Sequence, residues 1–213
     1  MTVETLGEDL PLLEGIRTNR AIRRLKPDPV PIELIRKVCE AGTFAPSGGN
    51  RQPWQFVAVT DRERRAHIAT LYRETFKAYI APAIAAARDP GYPEAKRRNM
   101  KAAIYLAEHL HEAPVHLFVA GWTRPGQPQS QALFPAIQNV LLACRAVGLG
   151  ASLTTAHRAH GEAIDRFLGL DPVRTPSIAL IPIGWPKGRF GTPTRRSIDT
   201  CFFEDAVPEG ALS

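Results

Sequence analysis

The segment APSGGNRQPW at residues 45–54 constrains the fold of this chain more than any other part of the sequence. Pro46 and Pro53 each fix their own φ angle and lack an N–H group, so they stiffen both ends of the segment. Gly48 and Gly49 let the backbone adopt positive φ and approach a ligand closely. Hydrogen-bond donors and acceptors come from Ser47, Asn50 and Gln52. We therefore expect a rigid polar loop that suits the edge of a planar, heteroatom-rich ligand.

This loop joins a predicted helix to a predicted strand. Apolar residues at helical spacing predict a helix over residues 31–44, with Gly42 as its stop, and residues 54–60 have the pattern of a strand. Asp61 is a candidate N-cap for the next helix. The remaining pattern predicts helices over 62–87, 93–111, 132–147 and 160–168, strands over 114–119, 151–155 and 177–183, and a loop over 122–130. The helix over 132–147 is apolar on nearly every face, which predicts a buried or interface helix.

The order of these elements indicates the fold class. Helices and strands are mixed without regular βαβ alternation, and no G-x-G-x-x-G motif follows a strand, which argues against a Rossmann dinucleotide site. We predict an α+β fold, with a mixed sheet flanked by helices. The 213 residues, 44% of them hydrophobic, suffice for one core, so we expect a single domain over 1–213. Residues 1–15 form its lead-in and residues 185–213 a C-terminal arm.

The charge of the chain favours anionic ligands. The formal net charge is +6 and the pI about 9.5, with the basic residues scattered along the sequence. No zinc-finger, RRM or KH signature accompanies this charge, so we expect no nucleic-acid partner. A basic nucleic-acid-binding module without redox function is an alternative that charge alone supports.

Cysteine usage and hydropathy bear on the compartment. The three cysteines form no C-x-x-C motif, which indicates a reducing environment. Residues 1–9 are acidic and lack a signal core, and no window approaches the roughly 18 apolar residues of a membrane span. Two histidine pairs lack a cysteine or carboxylate at zinc-like spacing: His109 with His111, and His157 with His160. The sequence thus predicts a soluble cytoplasmic protein with no metal site and no membrane contact.

Two arginine pairs stand out from the scattered charge. Arg20 and Arg23 are three residues apart and would converge on one anion if this run is helical. Arg195 and Arg196 lie in the C-terminal arm, after Gly184-Trp185-Pro186. Guanidinium groups bind phosphate bidentately. Either pair alone fits an ordinary solvated surface cluster better than a phosphate site.

Taken in order, these segments resemble the FMN-dependent nitroreductase family. The family's N-terminal signature is similar to residues 20–25 (RAIRRL) with Pro29-Val30, followed by residues 45–54. Its central helix is similar to residues 137–150 (IQNVLLACRAVGLG), and its C-terminal end to Gly184-Trp185-Pro186 with Arg195-Arg196. The resemblance covers residues 16–200. It implies an α+β fold and an obligate, intertwined homodimer with two FMN molecules at the subunit interface.

The resemblance also implies which residues bind the cofactor. The positions that bind the FMN phosphate and ring edge are matched by Arg20 and Arg23. Ala21 stands where many members have serine, which leaves only its backbone for a contact. The loop along the ribityl chain and isoalloxazine of the partner's flavin is matched by Pro46, Ser47, Gly48 and Asn50. The backbone that reaches the flavin N5 and O4 edge is matched by Leu153, Thr154 and Thr155. The C-terminal phosphate binders are matched by Arg195 and Arg196, with either of the two as the residue in contact.

The activity implied by the resemblance is ping-pong hydride transfer. NADH or NADPH reduces FMN and leaves, and a nitroaromatic, a quinone or a similar acceptor takes its place. No side chain is expected to be catalytic, because the flavin N5 carries the chemistry and the protein supplies placement and electrostatics. An alternative is a specialised flavin enzyme of the same fold: a dehalogenase, a flavin-fragmenting enzyme or an enone reductase. That alternative needs a dedicated lid within residues 72–130.

Overall fold

One antiparallel sheet forms the centre of the computed structural model, which describes residues 6–122, 131 and 133–208. The strands within these residues are β1 (Trp54–Val59), β2 (Val115–Gly121), β3 (Gly150–Ala151) and β4 (Ser177–Gly184). They pair in the order β1-β2-β4-β3, and every pair is antiparallel. Helices pack on both faces, so the predicted α+β class is confirmed. The prediction of a mixed sheet was wrong for the described strands, because no two neighbouring strands run parallel.

The helices follow the predicted ones closely. They are α1 (Leu12–Thr18), α2 (Ile32–Thr43), α3 (Arg62–Ala86), α4 (Glu94–His109), α5 (Leu133–Ala146) and α6 (Gly161–Leu168). Short 3-10 turns occur at Gly48–Asn50, Leu110–Glu112, Ala156–His160 and Ile198–Thr200. The predicted cap is confirmed, because the Arg64 N–H donates to Asp61 Oδ1 at 2.8 Å. None of the helices in the described ranges is long and apolar enough to cross a lipid bilayer.

The segment after residue 150 is less regular than predicted. The strand predicted over 151–155 is much shorter, because pairing with β4 ends at Ala151, and beyond it only Thr154 pairs, in a single bridge with Leu180. The loop predicted over 122–130 lies outside the described residues, apart from Trp122. The segment after β3 is therefore an irregular stretch held against β4 at one point.

Side chains that alternate along β2 pack into two separate cores. Val115, Leu117 and Val119 face α2 and α5, whereas Phe118 faces the layer of α3, α4 and α6. This period of two is what a strand buried on both faces requires. Helix α5 buries Ile137, Val140 and Cys144 but leaves Leu141 half-buried and Phe134 exposed, which fits a helix that lies partly on a surface.

Gly42 acts through packing rather than as a helix stop. Helix α2 continues to Thr43, and a Cβ atom on Gly42 would lie 2.8 Å from Val140 Cγ2 and 2.9 Å from Phe56 Cζ. Only a glycine lets the end of α2 lie this close to α5 and β1. The contact fixes where the loop over residues 45–53 begins.

His116 lies on β2 as a fully buried imidazole. Its Nε2–H donates to the Leu110 carbonyl at 2.8 Å, while Nδ1 has no partner among the described residues. Burial lowers the pKa of His116 from 6.5 to about 4. The unfolded chain binds a proton at this ring near pH 6.5 and the folded chain near pH 4, so the free energy of unfolding falls as the pH drops through this window.

Replacement of His116 should therefore reduce the acid sensitivity of the fold. Between pH 7.5 and pH 5 we expect H116Q to lose about 2 kcal/mol less of its free energy of unfolding than the wild type. Urea denaturation at both pH values measures the difference. The exposed His67 supplies the matched control, H67Q, which should lose as much stability as the wild type. Equal losses of unfolding free energy in H116Q and the wild type would show that the lowered pKa of His116 does not cause the acid sensitivity.

Candidate functional site

The arginine segment over residues 19–26 runs extended along the end of the sheet, beside β3. The Ile22 N–H donates to the Ala151 carbonyl at 2.9 Å, and the Lys26 N–H donates to the Trp185 carbonyl at 2.7 Å. These backbone bonds hold the segment between β3 and the first residues of the C-terminal arm.

The extended backbone changes what the first arginine pair can do. Helix α1 ends at Thr18, and Asn19 already has an extended conformation, with φ −68° and ψ 116°. Side chains three positions apart in an extended chain point to opposite sides. Arg20 and Arg23 accordingly line two neighbouring pockets, and the helical convergence considered for them is not observed.

Arg20 lines a pocket of about 190 Å³, which we call the arginine pocket. Its lining consists of Asn19, Arg20, Ala21, Leu141, Ala151, Ser152, Leu153 and Arg195. Two arginines from distant parts of the sequence meet here, and the lining contains no carboxylate. Ser152 is buried, and its hydroxyl has no hydrogen-bond partner among the described residues. The pocket is thus cationic.

Arg23 lines a second pocket of about 240 Å³, which we call the tyrosine pocket. Its lining consists of Arg23, Tyr72, Phe76, Tyr79, Ala103, Leu106, Leu153, Thr154, Thr155 and Ala156. The Tyr72 and Thr154 hydroxyls share a hydrogen bond of 2.9 Å. Leu153 lines both pockets, so they adjoin along the segment after β3.

The electrostatics of the tyrosine pocket favour an anionic partner. Burial lowers the pKa of Arg23, and the nearby charge of Arg20 lowers it further. Burial also raises the pKa of Tyr72, against the opposing effects of its hydrogen bond to Thr154 and of Arg23. Arg23 remains protonated at neutral pH because a guanidinium titrates far higher. A poorly solvated positive charge therefore faces this pocket, and an anionic group would stabilise it.

A buried polar chain fixes the turn that follows Thr155. The Ser177 hydroxyl donates to Asp165 Oδ1 at 2.5 Å and lies 3.2 Å from His157 Nε2. Because the single hydroxyl proton goes to Asp165, His157 Nε2 must be the donor in the second bond. Burial lowers the pKa of His157 to about 4, so the imidazole is neutral at neutral pH. These hydrogen bonds attach the start of the 3-10 turn, at His157, to the first residue of β4, Ser177.

This arrangement is not a nucleophilic triad. In a serine hydrolase the imidazole lies between the serine and the carboxylate, whereas here Ser177 lies between Asp165 and His157. All three side chains are buried. They position the segment that lines both pockets and do not react themselves.

Arg145 connects α1 to the C-terminal arm. At the end of α5, its Nε donates to Thr18 Oγ1 at 2.8 Å, and its Nη2 lies 3.9 Å from Glu14 Oε1. Its guanidinium carbon also lies 4.4 Å from the ring centre of Phe190 in the C-terminal arm. Sequence reasoning missed this residue, although a basic residue in the last turn of the central helix was a visible signal.

The loop over residues 45–54 has the rigid conformation that its sequence predicts. Gly49, Asn50 and Gln52 have positive φ values of 61°, 51° and 48°, whereas Gly48 does not. The Gln52 N–H donates to Ser47 Oγ at 3.0 Å, and the Gln52 side chain donates to Asn50 Oδ1 at 3.2 Å. The polar groups of the loop thus brace one another, and most of the loop is exposed.

The loop and β3 lie at opposite corners of the sheet. Trp54 at the start of β1 pairs with Gly121, whereas Ala151 of β3 pairs with Ile183, which is level with Val115 at the other end of β2. Three strand spacings across and six residues along correspond to about 25 Å between these corners. A single chain therefore does not bring its own loop next to its own arginine pocket.

The structure thus separates the predicted binding residues into groups. The arginine pocket contains Arg20, Ala21, Leu153 and Arg195, and the tyrosine pocket contains Arg23, Leu153, Thr154 and Thr155. The loop residues Pro46, Ser47, Gly48 and Asn50 line neither pocket. Arg196 is exposed and also lines neither of them.

Comparison with known proteins identifies the class of this fold and site. Residues 16–185 match the model of the Nitroreductase family, which is most of the chain. The chain therefore belongs to the Nitroreductase family.

Individual relatives carry different activities. The 5,6-dimethylbenzimidazole synthase of Rhodospirillum rubrum is 32% identical over 179 residues, covering 79% of this chain and 78% of that protein. The NADH dehydrogenase of Thermus thermophilus is 29% identical over 198 residues, covering 83% and 87%. A solved structure of a candidate nitroreductase from Desulfovibrio desulfuricans in complex with FMN is 28% identical, with a TM-score of 0.67, and covers 94% of this chain and 99% of that one.

Arg145 lines neither pocket, but its removal should make residues 16–24 and 189–196 more mobile. We expect R145M to lose about 1–2 kcal/mol of unfolding free energy, since a charged hydrogen bond and a cation–π contact disappear. Amide hydrogen exchange should accelerate over residues 16–24 and 189–196 but not in β2 and β4. The exposed Arg166, which pairs with Glu162 of its own helix, supplies the control R166M. Unchanged amide hydrogen exchange of both segments in R145M would show that Arg145 does not hold them in place.

Proposed function

We propose that this chain is an FMN-dependent NAD(P)H oxidoreductase that reduces a nitroaromatic, a quinone or a similar acceptor. When bound, FMN supplies the redox chemistry, by accepting a hydride from NAD(P)H and passing reducing equivalents to the acceptor. The observation that carries the proposal is the pair of adjoining pockets: Arg20 and Arg195 line one, the half-buried Arg23 lines the other, and no carboxylate lines either.

The arginine pocket fits the phosphate of FMN. A phosphomonoester carries close to two negative charges at neutral pH and offers three acceptor oxygens. Arg20 and Arg195 supply guanidinium donors of the matching geometry. Of the two C-terminal candidates we assign the phosphate contact to Arg195, because Arg196 does not line this pocket.

The tyrosine pocket fits the flavin ring edge. Arg23 would face the edge that carries negative charge in the reduced ring, and its burial strengthens that interaction. The backbone of Leu153, Thr154 and Thr155 would lie along the N5 and O4 edge, held in place by the bridge of Thr154 to Leu180. Phe76 and Tyr79 leave an apolar wall against which a flat co-substrate can pack.

We propose that the loop over residues 45–54 completes the site of a partner subunit in a homodimer. Its position across the sheet from the arginine pocket supports this arrangement. Large apolar side chains on the surface also support it: the exposed fraction is 71% for Leu12, 69% for Leu13, 80% for Phe44 and 52% for Phe134. These residues lie on α1, on α5 and at the end of α2, and both α1 and α2 pack against α5. Exposed apolar residues on helices that pack together favour an interaction surface.

A second candidate function keeps the flavin and changes the reaction. The 32% identity to a 5,6-dimethylbenzimidazole synthase supports a specialised flavin enzyme.

Purified protein should be yellow, or should become so on addition of FMN, and should bleach with NADH or NADPH under anaerobic conditions. Turnover of nitrofurazone or menadione supports the first function, and bound FMN without turnover of either supports the second. A protein that acquires no flavin absorbance in the presence of FMN would overturn both.

Removal of either pocket arginine should weaken the binding of FMN through its phosphate. We expect R20Q and R195Q each to raise the Kd for FMN by about tenfold to a hundredfold, since a charge-assisted bond contributes about 1.5–3 kcal/mol. Quenching of flavin fluorescence in a titration measures this. R196Q is the matched control and should bind FMN like the wild type. A loss in R196Q with none in R195Q would reverse the assignment.

Mixed dimers should test which loop serves which pocket. Chains with R195E and chains with G48E should each fail to bind FMN tightly as homodimers, because Gly48 has space for a side chain that would enter the partner's site. A heterodimer of the two should contain one intact site and one doubly altered site. We therefore expect one tightly bound FMN per heterodimer.

The control for the loop substitution is G188E, because Gly188 has equally open surroundings in the C-terminal arm. The G188E homodimer should bind two FMN molecules, because both of its sites are intact. If the R195E and G48E heterodimer binds no FMN tightly, the loop serves the pocket of its own chain and the shared site is wrong.

A further inference from the structure

We propose that Arg24 and Lys187 bind the 2′-phosphate of NADPH and make the protein prefer NADPH to NADH. This inference rests on the proposed function, and it names the co-substrate between which the two pockets do not distinguish. Neither residue lines the arginine pocket or the tyrosine pocket, so neither is assigned to the phosphate or the ring of FMN. Their positive charge is therefore left for a second anion.

Two basic segments of the chain lie side by side at this end of the sheet. Residues 16–27 contain five lysines or arginines and residues 185–196 contain four, and neither range contains an aspartate or a glutamate. The Lys187 N–H donates to the Arg24 carbonyl at 2.9 Å, which joins the two segments. The resulting surface has more positive charge than the phosphate of one FMN can balance, because a phosphomonoester carries at most two negative charges.

Arg24 and Lys187 lie directly opposite each other in this pairing. Leu25 forms an antiparallel bridge with Pro186, so the residue before Leu25 is level with the residue after Pro186. Side chains at opposite positions of an antiparallel pair lie on the same face, and like charges there destabilise the pairing. An anion bound between Arg24 and Lys187 would relieve this repulsion.

Tyr105 of α4 holds the two cations in place. The Arg24 guanidinium carbon lies 4.3 Å from the centre of the Tyr105 ring, and Lys187 Nζ donates to the Tyr105 hydroxyl at 2.9 Å. The same ring stacks on His109, with 4.0 Å between the ring centres. Cations that are already fixed lose little conformational freedom when they bind an anion, which favours binding.

Nearby carboxylates leave this pair with a net positive charge. Lys187 Nζ lies 3.6 Å from Glu112 Oε2, whereas Arg24 forms no ion pair with any carboxylate that the structure describes. Glu112 therefore balances only one of the two charges. A phosphate here would accept two hydrogen bonds from the Arg24 guanidinium and one from a further N–H of Lys187.

The position of the pair indicates which anion it binds. Arg24 follows Arg23 in the chain, and Tyr105 precedes Leu106. Both Arg23 and Leu106 line the tyrosine pocket, in which the proposed function places the flat end of the co-substrate. The rest of the dinucleotide would extend beyond that pocket. NADPH differs from NADH by one phosphomonoester, which carries close to two negative charges, so a cation pair beside the pocket favours NADPH.

Kinetics of the FMN-loaded protein with both nucleotides test the proposal. For the wild type we expect kcat/KM with NADPH to exceed that with NADH about tenfold or more, since a charge-assisted bond contributes about 1.5–3 kcal/mol. R24Q and K187Q should each lower this ratio about threefold to tenfold, because each removes one charged partner of the phosphate. R24K keeps the charge and should keep part of the preference. The control R166Q removes an exposed arginine of α6 outside both basic segments, and its ratio should match the wild type.

Binding of nucleotide fragments gives a measurement that does not depend on turnover. With FMN bound, isothermal titration calorimetry should show that adenosine 2′,5′-bisphosphate binds the wild type more tightly than adenosine 5′-monophosphate does. R24Q and K187Q should each reduce this difference. Y105F keeps the ring beneath Arg24 but removes the hydroxyl that Lys187 contacts, so it should reduce the difference to a smaller extent.

The outcomes separate this inference from the proposed function. If the wild type binds FMN but uses NADH and NADPH equally well, or if R24Q and K187Q keep the wild-type preference, the pair does not bind the 2′-phosphate and the proposed function stands. If FMN binds and neither nucleotide reduces it, equal binding of the two fragments overturns the inference. If the wild type acquires no FMN, both proposals fail. Should R24Q fold poorly, an unchanged preference in K187Q and Y105F would overturn the inference.

Discussion

The backbone pairing at β3 is the contact on which the candidate site depends. A Cβ atom on Gly150 would lie 2.7 Å from Ile22 Cγ2 and 2.9 Å from Leu25 Cδ2, so only glycine allows the arginine segment to lie against this strand. The bond from the Ile22 N–H to Ala151 then aligns Arg20 and Arg23 beside the residues that follow β3. Both pockets include residues of these two short segments; α3 and α4 complete the tyrosine pocket, and Leu141 and Arg195 complete the arginine pocket.

The arginine segment, the residues after β3 and the C-terminal arm are irregular. Polar side-chain contacts hold them in place, as backbone hydrogen bonds would in a helix or strand. Arg145 holds the end of α1 and the C-terminal arm, which carry Arg20 and Arg195. The buried chain of Asp165, Ser177 and His157 holds the turn after Thr155. Such networks are stable only when most members are satisfied, which makes them rigid supports for a ligand. Loops positioned in this way by a rigid scaffold commonly carry function.

Much of the fold could be predicted because its elements have strong local signals. Helix α2, strand β1 and the cap at Asp61 followed from periodicity and capping chemistry. The family resemblance was also confirmed over residues 16–185. The short β3 was predicted poorly, since two paired residues give no periodicity and their pairing depends on distant β4. The convergence of Arg20 and Arg23 required a helical run, and this condition is not met, because hydrogen bonds to Ala151 and Trp185 hold the segment in an extended form.

The sequence by itself determined the residue types of the site: the rigid loop over residues 45–54, the arginines, and the segment that follows the central helix. Local chemistry suffices for these, because proline and glycine restrict their own backbone and guanidinium groups bind anions in any fold. Only the tertiary structure decided that Arg195 and not Arg196 lines the arginine pocket, that Ser152 is buried there without a partner among the described residues, and that the loop lies at the far corner of the sheet. These are properties of distance and burial, and they arise when segments more than a hundred residues apart pack against each other.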